Sequence, residues 1–125
     1  MINSRNIEDL KPVAQLKCRE FIRECEDAGL KIKIIQTRRD AEYQHSLWLQ
    51  GRNGDKRPIV TNKDGYEKES NHQSGLAWDA VPLDDKGVIL WNDNKKFKKM
   101  ADIAIKLGIR AGYYWKMVDS PHFEL

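Results

Sequence analysis

The spacing of apolar residues along the chain predicts three helices, of which the first is the longest. Between residues 9 and 28, apolar side chains recur every three or four positions and form one stripe: Leu10, Ala14, Cys18, Phe21 and Cys25. Asp9 is expected to cap this helix, Pro12 to lie in its first turn and Gly29 to end it.

Two further helices are predicted from the same kind of signal. Asp40 can cap the segment AEYQHSLWLQ, which Gly51 closes. Asn92 or Asp93 can cap a later segment that ends at Gly108. The apolar residues of this third helix fall at helical spacing: Phe97, Met100, Ala101, Ala104, Ile105 and Leu107.

Strands are predicted between the helices. Leu30–Gln36 alternates apolar residues with lysines, and Gly75–Leu83 is a largely apolar run. Val88–Trp91 is expected to form the returning strand of a hairpin, after a turn at residues 84–87. Residues 51–69 are polar and rich in Gly, Asn, Asp and Lys, which predicts a long loop. This order of elements predicts an α+β fold with a small, mostly antiparallel sheet and flanking helices.

The composition is typical of a soluble globular protein. The 125 residues, 40% of them hydrophobic, are expected to form one domain with its own core. The 22 basic and 19 acidic residues give a net charge of +3, which is too small to indicate a nucleic-acid partner. The densest basic cluster is expected to be the solvated face of the third helix: Lys95, Lys96, Lys98 and Lys99.

No segment has the pattern of a secretory signal or of a membrane span. The first 15 residues lack an apolar core, and no apolar run approaches the length of a bilayer span. The protein is therefore expected to be synthesised in soluble form in a cytoplasm. Cys18 and Cys25 lie roughly 10 Å apart along one predicted helix, so they cannot pair with each other and are expected to be free core residues.

One carboxylate stands inside an apolar strand. Because side chains alternate between the two faces of Gly75–Leu83, Asp79 points away from Trp78, which is expected to lie in the core. A buried carboxylate is costly unless it is paired or bound to a metal. His72 lies seven residues earlier, and Gly75 allows the chain to bend so that His72 and Asp79 can face one point.

The C-terminal residues 119–125 supply a second group of polar side chains. His72, Asp79 and His122 form a set of two imidazoles and one carboxylate that suits zinc, with a fourth position left for water. Asp119 is then a carboxylate outside the ligand set that can take a proton from the water as general base. Glu124 is the alternative candidate for this base. From spacing alone, the alternative that these histidines and aspartates have structural roles stays open.

Two motifs give the chain a resemblance to a known family. SNHQSGLAWD at residues 70–79 is similar to the pattern Ser-x-His-x-x-Gly-x-Ala-x-Asp, and DSPH at residues 119–122 is similar to Asp-x-x-His. Both resemble the zinc D,L-peptidase family of peptidoglycan hydrolases. This family includes D-Ala-D-Ala carboxypeptidases and L-alanyl-D-glutamate endopeptidases, among them many phage endolysins.

The resemblance extends upstream and covers about residues 30–125. TRRDAEYQHSLWLQGR at residues 37–52 is similar to a Thr-x-Arg-Ser stretch followed by Gln-x-x-Leu-Tyr-x-Gln-Gly-Arg. Trp48 replaces the tyrosine of this pattern, and the matching positions are Arg39, Gln44, Leu47, Gln50, Gly51 and Arg52. A second departure is at residues 111–115, AGYYW, where the family often has Trp-Gly-Gly-x-Trp.

Carried over position by position, the resemblance implies the metal site and its base. His72, Asp79 and His122 match the family's zinc ligands, for one ion. Asp119 matches the general base. The fold implied is the small α+β zinc peptidase fold shared with Hedgehog-type domains.

The resemblance also implies roles for residues outside the metal motif. Arg39 matches the arginine expected to hold the substrate carbonyl and its developing oxyanion, whereas Arg38 is expected to face away. Ser70 matches the motif serine, which is expected to order the ligand loop or to contact a substrate group. On the second helix, Tyr43 and Trp48 are expected to be core residues and the third histidine of the chain, His45, to be solvated.

The activity that the resemblance implies is hydrolysis of an amide bond in the stem peptides of peptidoglycan. The Asp-x-x-His form and the Gln-Gly-Arg stretch at residues 50–52 favour the L-alanyl-D-glutamate endopeptidases, and a D-Ala-D-Ala carboxypeptidase is the alternative. Further alternatives are a catalytically silent zinc module and a basic nucleic-acid binder. The expected enzyme is a monomer made in a bacterial host cytoplasm, which acts on the wall after release, without a membrane span or a separate wall-binding domain.

Overall fold

The computed structural model describes all 125 residues, and their helices and strands form an α+β fold. In chain order these are α1 (Pro12–Asp27), β1 (Ile32–Gln36), α2 (Ala41–Leu49), β2 (Ala77–Pro82), α3 (Asn94–Lys106), β3 (Arg110–Ala111) and β4 (His122–Glu124). Two 3-10 turns, Ile7–Asp9 and Gly112–Tyr114, precede α1 and follow β3. The predicted fold class is confirmed, and each predicted helix is present close to its expected limits.

The sheet has the order β1-β2-β4-β3, and every neighbouring pair is antiparallel. In the register of β2 with β4, Trp78 lies opposite Phe123 and Asp79 lies opposite His122. Residues that pair directly across two strands project to the same face of a sheet. The register therefore sends Trp78 and Phe123 to one face and Asp79 and His122 to the other.

The hydrophobic core lies between the sheet and helices α1 and α3. Phe21 of α1 packs against Phe123, with ring centroids 4.6 Å apart, and against Trp78 at 6.2 Å. Cys18 and Cys25 are free and buried in this core, and burial raises the pKa of both thiols to about 12. Both cysteines are thus the unreactive core residues that their position on the apolar stripe predicted.

The start of α1 and the predicted hairpin differ from expectation. The N-cap of α1 is Lys11, which makes no side-chain cap, with Pro12 at the first helical position. Asp9 instead lies in the preceding 3-10 turn, where its carboxylate accepts a hydrogen bond from Ser4.

The predicted hairpin is present in a short form. The chain turns back at residues 84–87, and the Asp84 N–H donates to the Val88 carbonyl and the Leu90 N–H to the Pro82 carbonyl. Residues 88–91 form one antiparallel bridge, between Leu83 and Ile89, and not the full returning strand expected. The Asp84 carboxylate braces the turn by accepting from the Lys86 and Val88 N–H groups.

Helix α2 begins as predicted but packs differently. The Asp40 carboxylate accepts a hydrogen bond from the Tyr43 backbone N–H, which confirms the predicted cap. Tyr43 and Trp48 are only partly buried, so their assignment to the core was wrong. Trp48 stacks on the ring of His45, and the Arg52 guanidinium lies 4.5 Å from the Trp48 ring centroid.

Residues 51–69 form the predicted long loop without helix or strand, and this loop is anchored to α2. His45 Nδ1 lies 2.9 Å from the Asp64 carbonyl oxygen, so His45 holds the loop and is not the solvated residue expected. Gly65 adopts φ +92°, and a Cβ there would lie 2.7 Å from the Ala41 carbonyl oxygen. Glycine is therefore required where the loop crosses the start of α2.

None of the three helices is both long enough and apolar enough to cross a membrane. The exposed face of α3 carries the basic cluster of lysines, as expected for a solvated helix face.

Candidate active site

The structure brings His72, Asp79 and His122 together, as the sequence predicted. His72 Nε2 lies 3.2 Å from Asp79 Oδ1 and 3.2 Å from His122 Nδ1, and His122 Nδ1 lies 3.3 Å from Asp79 Oδ1. The three atoms thus form a nearly equilateral triangle. Both imidazoles are buried.

The three side chains converge because of the strand register and one tight turn. Asp79 and His122 are direct partners in the β2–β4 pair. His72 lies in the turn before β2, which is closed by a hydrogen bond from the Leu76 N–H to the Asn71 carbonyl. Gly75 in this turn adopts φ +73°, which supports the bend that the sequence predicted there.

Hydrogen bonds on the outer sides of the two rings determine which nitrogens face each other. His72 Nδ1 lies 2.7 Å from the Thr37 carbonyl oxygen, which can only accept, so His72 carries its proton there. His122 Nε2 lies 2.7 Å from Glu124 Oε1, which accepts in the same way. When the rings are neutral, as ligands must be, their inner nitrogens therefore present lone pairs beside Asp79.

This geometry fits a zinc ion. Asp79 Oδ1 is a buried acceptor without a hydrogen-bond donor, although two imidazole nitrogens lie close to it. Three acceptors that face one another are stabilised by a cation. Tetrahedral zinc with bond lengths of about 2.0–2.2 Å needs ligand atoms about 3.3 Å apart, which matches the observed triangle.

Charge interactions within the cluster are strong. Burial of Asp79 would raise the pKa of its carboxyl, but the adjacent His122 and His72 rings outweigh burial and hold that pKa well below its usual range. Burial of His122 would lower its pKa, but the carboxylates of Asp79 and Glu124 outweigh burial and raise it to about 9. Asp79 thus favours a positive charge beside it, which a metal ion bound at the triangle would supply.

Asp119 lines the same cleft but lies outside the ligand triangle. The residue as a whole is exposed, but its carboxyl is partly withdrawn from water at the cleft, and this desolvation together with the negative charge of Asp79 raises its pKa. Its backbone is fixed by two hydrogen bonds, from the Asp119 N–H to the Gly112 carbonyl and from the His122 N–H to the Asp119 carbonyl. A Cβ at Gly112 would overlap the Asp119 carbonyl, so the glycine permits this close approach.

Arg39 extends from the end of β1 into the cleft. Its Nη2 lies 3.7 Å from Asp79 Oδ2, its Nη1 donates to Gln44 Oε1 at 3.0 Å, and its Nε is buried without a partner. Burial lowers the pKa of Arg39, and the negative charges of Asp79 and Asp119 oppose that shift. Arg38 does not line the cleft, which agrees with the expectation that it faces away.

Gln44 is a residue whose structural role the sequence did not reveal. It is fully buried, accepts from Arg39 and donates to Thr61 Oγ1 and to the Lys63 carbonyl oxygen. Gln44 thus connects Arg39 to the loop 51–69 that forms one wall of the cleft. Its match to the family pattern was the available signal, because a glutamine on a helix otherwise predicts only a solvated position.

Ser70 lies in the wall of the cleft, and its Oγ is buried without a hydrogen-bond partner. Its Oγ makes no hydrogen bond to the ligand turn, so the expected contact with a substrate group stays a prediction. Glu124, the rival base, contacts His122 at Nε2, which is the ring nitrogen remote from the triangle.

The site lies in a cleft with a volume of about 550 Å³. Trp115 forms part of its rim, with its ring centroid 5.0 Å from that of His122. The residues that line the cleft are mostly polar, and they include Gln36, Arg39, Tyr43, Leu47, Gln50, Val60, Thr61, Lys63, Glu69, Ser70, Trp115 and Asp119. The fold and this cluster together define a small α+β protein with a candidate zinc site in an open, polar cleft.

Solved structures share this fold. The L-Ala D-Glu endopeptidase ChiX of Serratia marcescens is similar with a TM-score of 0.67 and 22% identity, over 99% of this chain and 88% of that one. The LD-carboxypeptidase LdcB is similar with a TM-score of 0.67 and 24% identity, over 92% of this chain and 64% of that one. A variant of the vancomycin resistance D,D-pentapeptidase VanY, solved in complex with Zn(II), has a TM-score of 0.66 and 12% identity, over 92% of this chain and 71% of that one.

A family model identifies the chain more closely than these structures do. The model of VanY, D-alanyl-D-alanine carboxypeptidase, matches residues 7–121. The chain belongs to this family, which confirms the resemblance drawn from the two motifs. No curated protein matches the sequence at a significant level.

Proposed function

We propose that the chain is a zinc-dependent peptidase that hydrolyses an amide bond in peptidoglycan stem peptides, with the specificity of an L-alanyl-D-glutamate endopeptidase. The observation that carries the proposal is the triangle of His72, Asp79 and His122, with an unpaired buried acceptor, in a cleft that also holds Arg39 and Asp119. Residues 1–125 act in this proposal as one catalytic domain with one zinc ion.

His72, Asp79 and His122 would hold the ion, each offering one ligand atom. Zinc in such a site supplies Lewis-acid activation of water and of the scissile carbonyl. The protein contributes the fixed ring orientations that the Thr37 carbonyl and Glu124 impose.

Asp119 performs the proton transfers. It lies in the cleft beside the ligands without being one of them, and its raised pKa makes it a better proton acceptor than an ordinary aspartate. It accepts a proton from the attacking water and passes it to the leaving amine.

Arg39 stabilises the negative charge that develops on the carbonyl oxygen. Its guanidinium is held by Gln44 and lies near Asp79, so its orientation is fixed before substrate binds. A planar guanidinium donates two parallel hydrogen bonds, a geometry that a lysine ammonium does not reproduce.

We expect Arg39→Lys to lower turnover about a hundredfold, the usual effect of losing one oxyanion donor. Zinc content should be unchanged, because Arg39 is not a ligand. Arg38→Lys is the matched control and should have wild-type turnover. Steady-state rates with a defined stem peptide test this, and wild-type turnover in Arg39→Lys would remove Arg39 from the reaction.

The endopeptidase assignment rests on the Asp-x-x-His form of the last motif and on the similarity to ChiX over nearly the whole of both chains. The D-Ala-D-Ala carboxypeptidase alternative is supported by the description of the family model. Digestion of purified peptidoglycan followed by mass spectrometry of the muropeptides distinguishes them. New N-terminal D-Glu supports the endopeptidase, whereas released D-Ala supports the carboxypeptidase and would overturn our assignment.

A catalytically silent zinc module is disfavoured by the presence of both Asp119 and Arg39 in the cleft. Absence of any new muropeptide from a zinc-loaded sample would support that module instead.

A further inference from the structure

Glu124 lies on the opposite side of His122 from the ligand triangle. Its Oε1 is 2.7 Å from His122 Nε2, whereas His122 presents Nδ1 to His72 and Asp79. The Glu124 side chain is only 11% exposed, so this contact is largely shielded from water. Glu124 therefore acts on the ring of a ligand.

The second carboxylate oxygen of Glu124 contacts the turn that carries His72. Its Oε2 accepts from Asn71 Nδ2 at 2.6 Å, and Asn71 directly precedes His72. The Asn71 carbonyl also accepts from the Leu76 N–H and so closes the turn that carries His72. The Glu124 carboxylate thus contacts His122 directly and, through Asn71, contacts the turn that carries His72.

Arg110 completes this arrangement from β3. Its Nη2 donates to Glu124 Oε2 at 2.6 Å and to the Leu125 carbonyl at 2.8 Å. The guanidinium compensates the charge of a carboxylate that is otherwise nearly buried. Glu124 is therefore held by three donors, from His122, Asn71 and Arg110, and has little freedom to move.

We propose that Glu124 is a positioning residue of the candidate zinc site, which fixes the His122 ring and ties it to the turn of His72. The proposal rests on the proposed function, in which His72, Asp79 and His122 bind zinc. Glu124 keeps the His122 proton on Nε2 and thereby leaves the Nδ1 lone pair for the metal. Partners of this kind typically contribute about 10- to 100-fold to metal affinity.

The test compares zinc affinity and turnover in Glu124→Gln, which keeps the shape of the side chain but removes its charge. We expect the zinc dissociation constant, measured by competition with a chromogenic chelator, to rise by about 10- to 100-fold. The visible absorption of the cobalt-substituted variant should change, because the single amide oxygen cannot accept from His122 on one side and from Asn71 and Arg110 on the other. Once the variant is saturated with zinc, most of the turnover should return. Glu8→Gln is the matched control and should keep wild-type zinc affinity and turnover, because Glu8 is an exposed glutamate paired with Arg19 that does not line the cleft.

Asn71→Ala provides a second variant that leaves the Glu124–His122 contact in place. We expect it to weaken zinc binding in the same direction and by a smaller factor. Unchanged zinc affinity in both variants, with a wild-type chain that binds zinc, would overturn the positioning role alone. If Glu124→Gln kept its zinc and lost turnover, Glu124 would be the base. A wild-type chain that bound no zinc would overturn the proposed function as well.

Discussion

Removal of zinc with a chelator is expected to reduce hydrolysis of stem peptides to the uncatalysed background, and added zinc to restore it. The reason is that Asp79 Oδ1, His72 Nε2 and His122 Nδ1 converge on one point, where all three would hold the ion. In the proposed reaction, activation of water needs the cation as well as Asp119. The measurement is hydrolysis of a defined peptide before and after dialysis against chelator, with zinc content determined in parallel.

His122→Ala tests the ligand assignment within this prediction. The variant should bind far less zinc than the wild-type chain, because a three-ligand site loses one imidazole. His45→Ala is the control, since His45 is the third histidine and contacts the loop carbonyl of Asp64 instead of the cluster. Undiminished zinc in His122→Ala would show that His122 is not a ligand.

Replacement of Asp119 by asparagine is expected to lower turnover by about two to four orders of magnitude, the usual contribution of general acid–base catalysis. The variant keeps the shape of the side chain and the backbone bonds to Gly112 and His122, so it should fold and retain zinc. Turnover and zinc content of the same preparation provide the measurement. Asp85→Asn, at a fully exposed side chain paired with Lys31, is the control and should retain full activity.

Comparison with Asp79→Asn distinguishes the role of a general base from that of a metal ligand. This change removes a ligand charge from the triangle, so zinc affinity should fall together with turnover. Loss of zinc from Asp119→Asn would instead make Asp119 a ligand. Full activity in Asp119→Asn would leave Glu124 as the base and contradict the positioning role proposed for it.

The metal cluster could be predicted from the sequence because its signals are local and chemical. A carboxylate in an apolar strand is costly without a partner, so the position of Asp79 within β2 already indicated a functional residue. The alternation of β2 also placed Trp78 in the core and Asp79 on the other face, as the structure shows. The caps at Asp40 and Asp93 were predictable for the same reason, since each acts on a backbone N–H three residues away.

Features that depend on contacts between distant segments were not predictable in this way. Tyr43, His45 and Trp48 have the pattern of a helix with both buried and solvated positions, but the loop 51–69 packs against them and changes their surroundings. Residues 88–91 have the composition of a strand, yet they form only one bridge, between Ile89 and Leu83, and a few hydrogen bonds next to the end of β2. A segment forms a strand only where a neighbouring strand offers free backbone groups to pair with, and composition does not specify this.

The contacts of Glu124 inside the site were likewise not predictable from the sequence. The sequence places Glu124 two residues from His122, and spacing alone makes it a possible base. Only the register of β4, with Arg110 opposite Glu124 across one edge and Asn71 reaching it from the turn before β2, decides that Glu124 contacts the outer nitrogen of the ring.

The sequence by itself thus determined the α+β class, the family and the residues of the candidate metal cluster. These follow from periodicity, from local hydrogen-bonding chemistry and from motifs whose spacing is short. Only the tertiary structure decided which nitrogen of each histidine faces Asp79, which residue holds Arg39 and which carboxylate contacts the His122 ring. Those choices depend on strand register and on loop packing, which bring together residues as far apart in the chain as Thr37, His72 and His122.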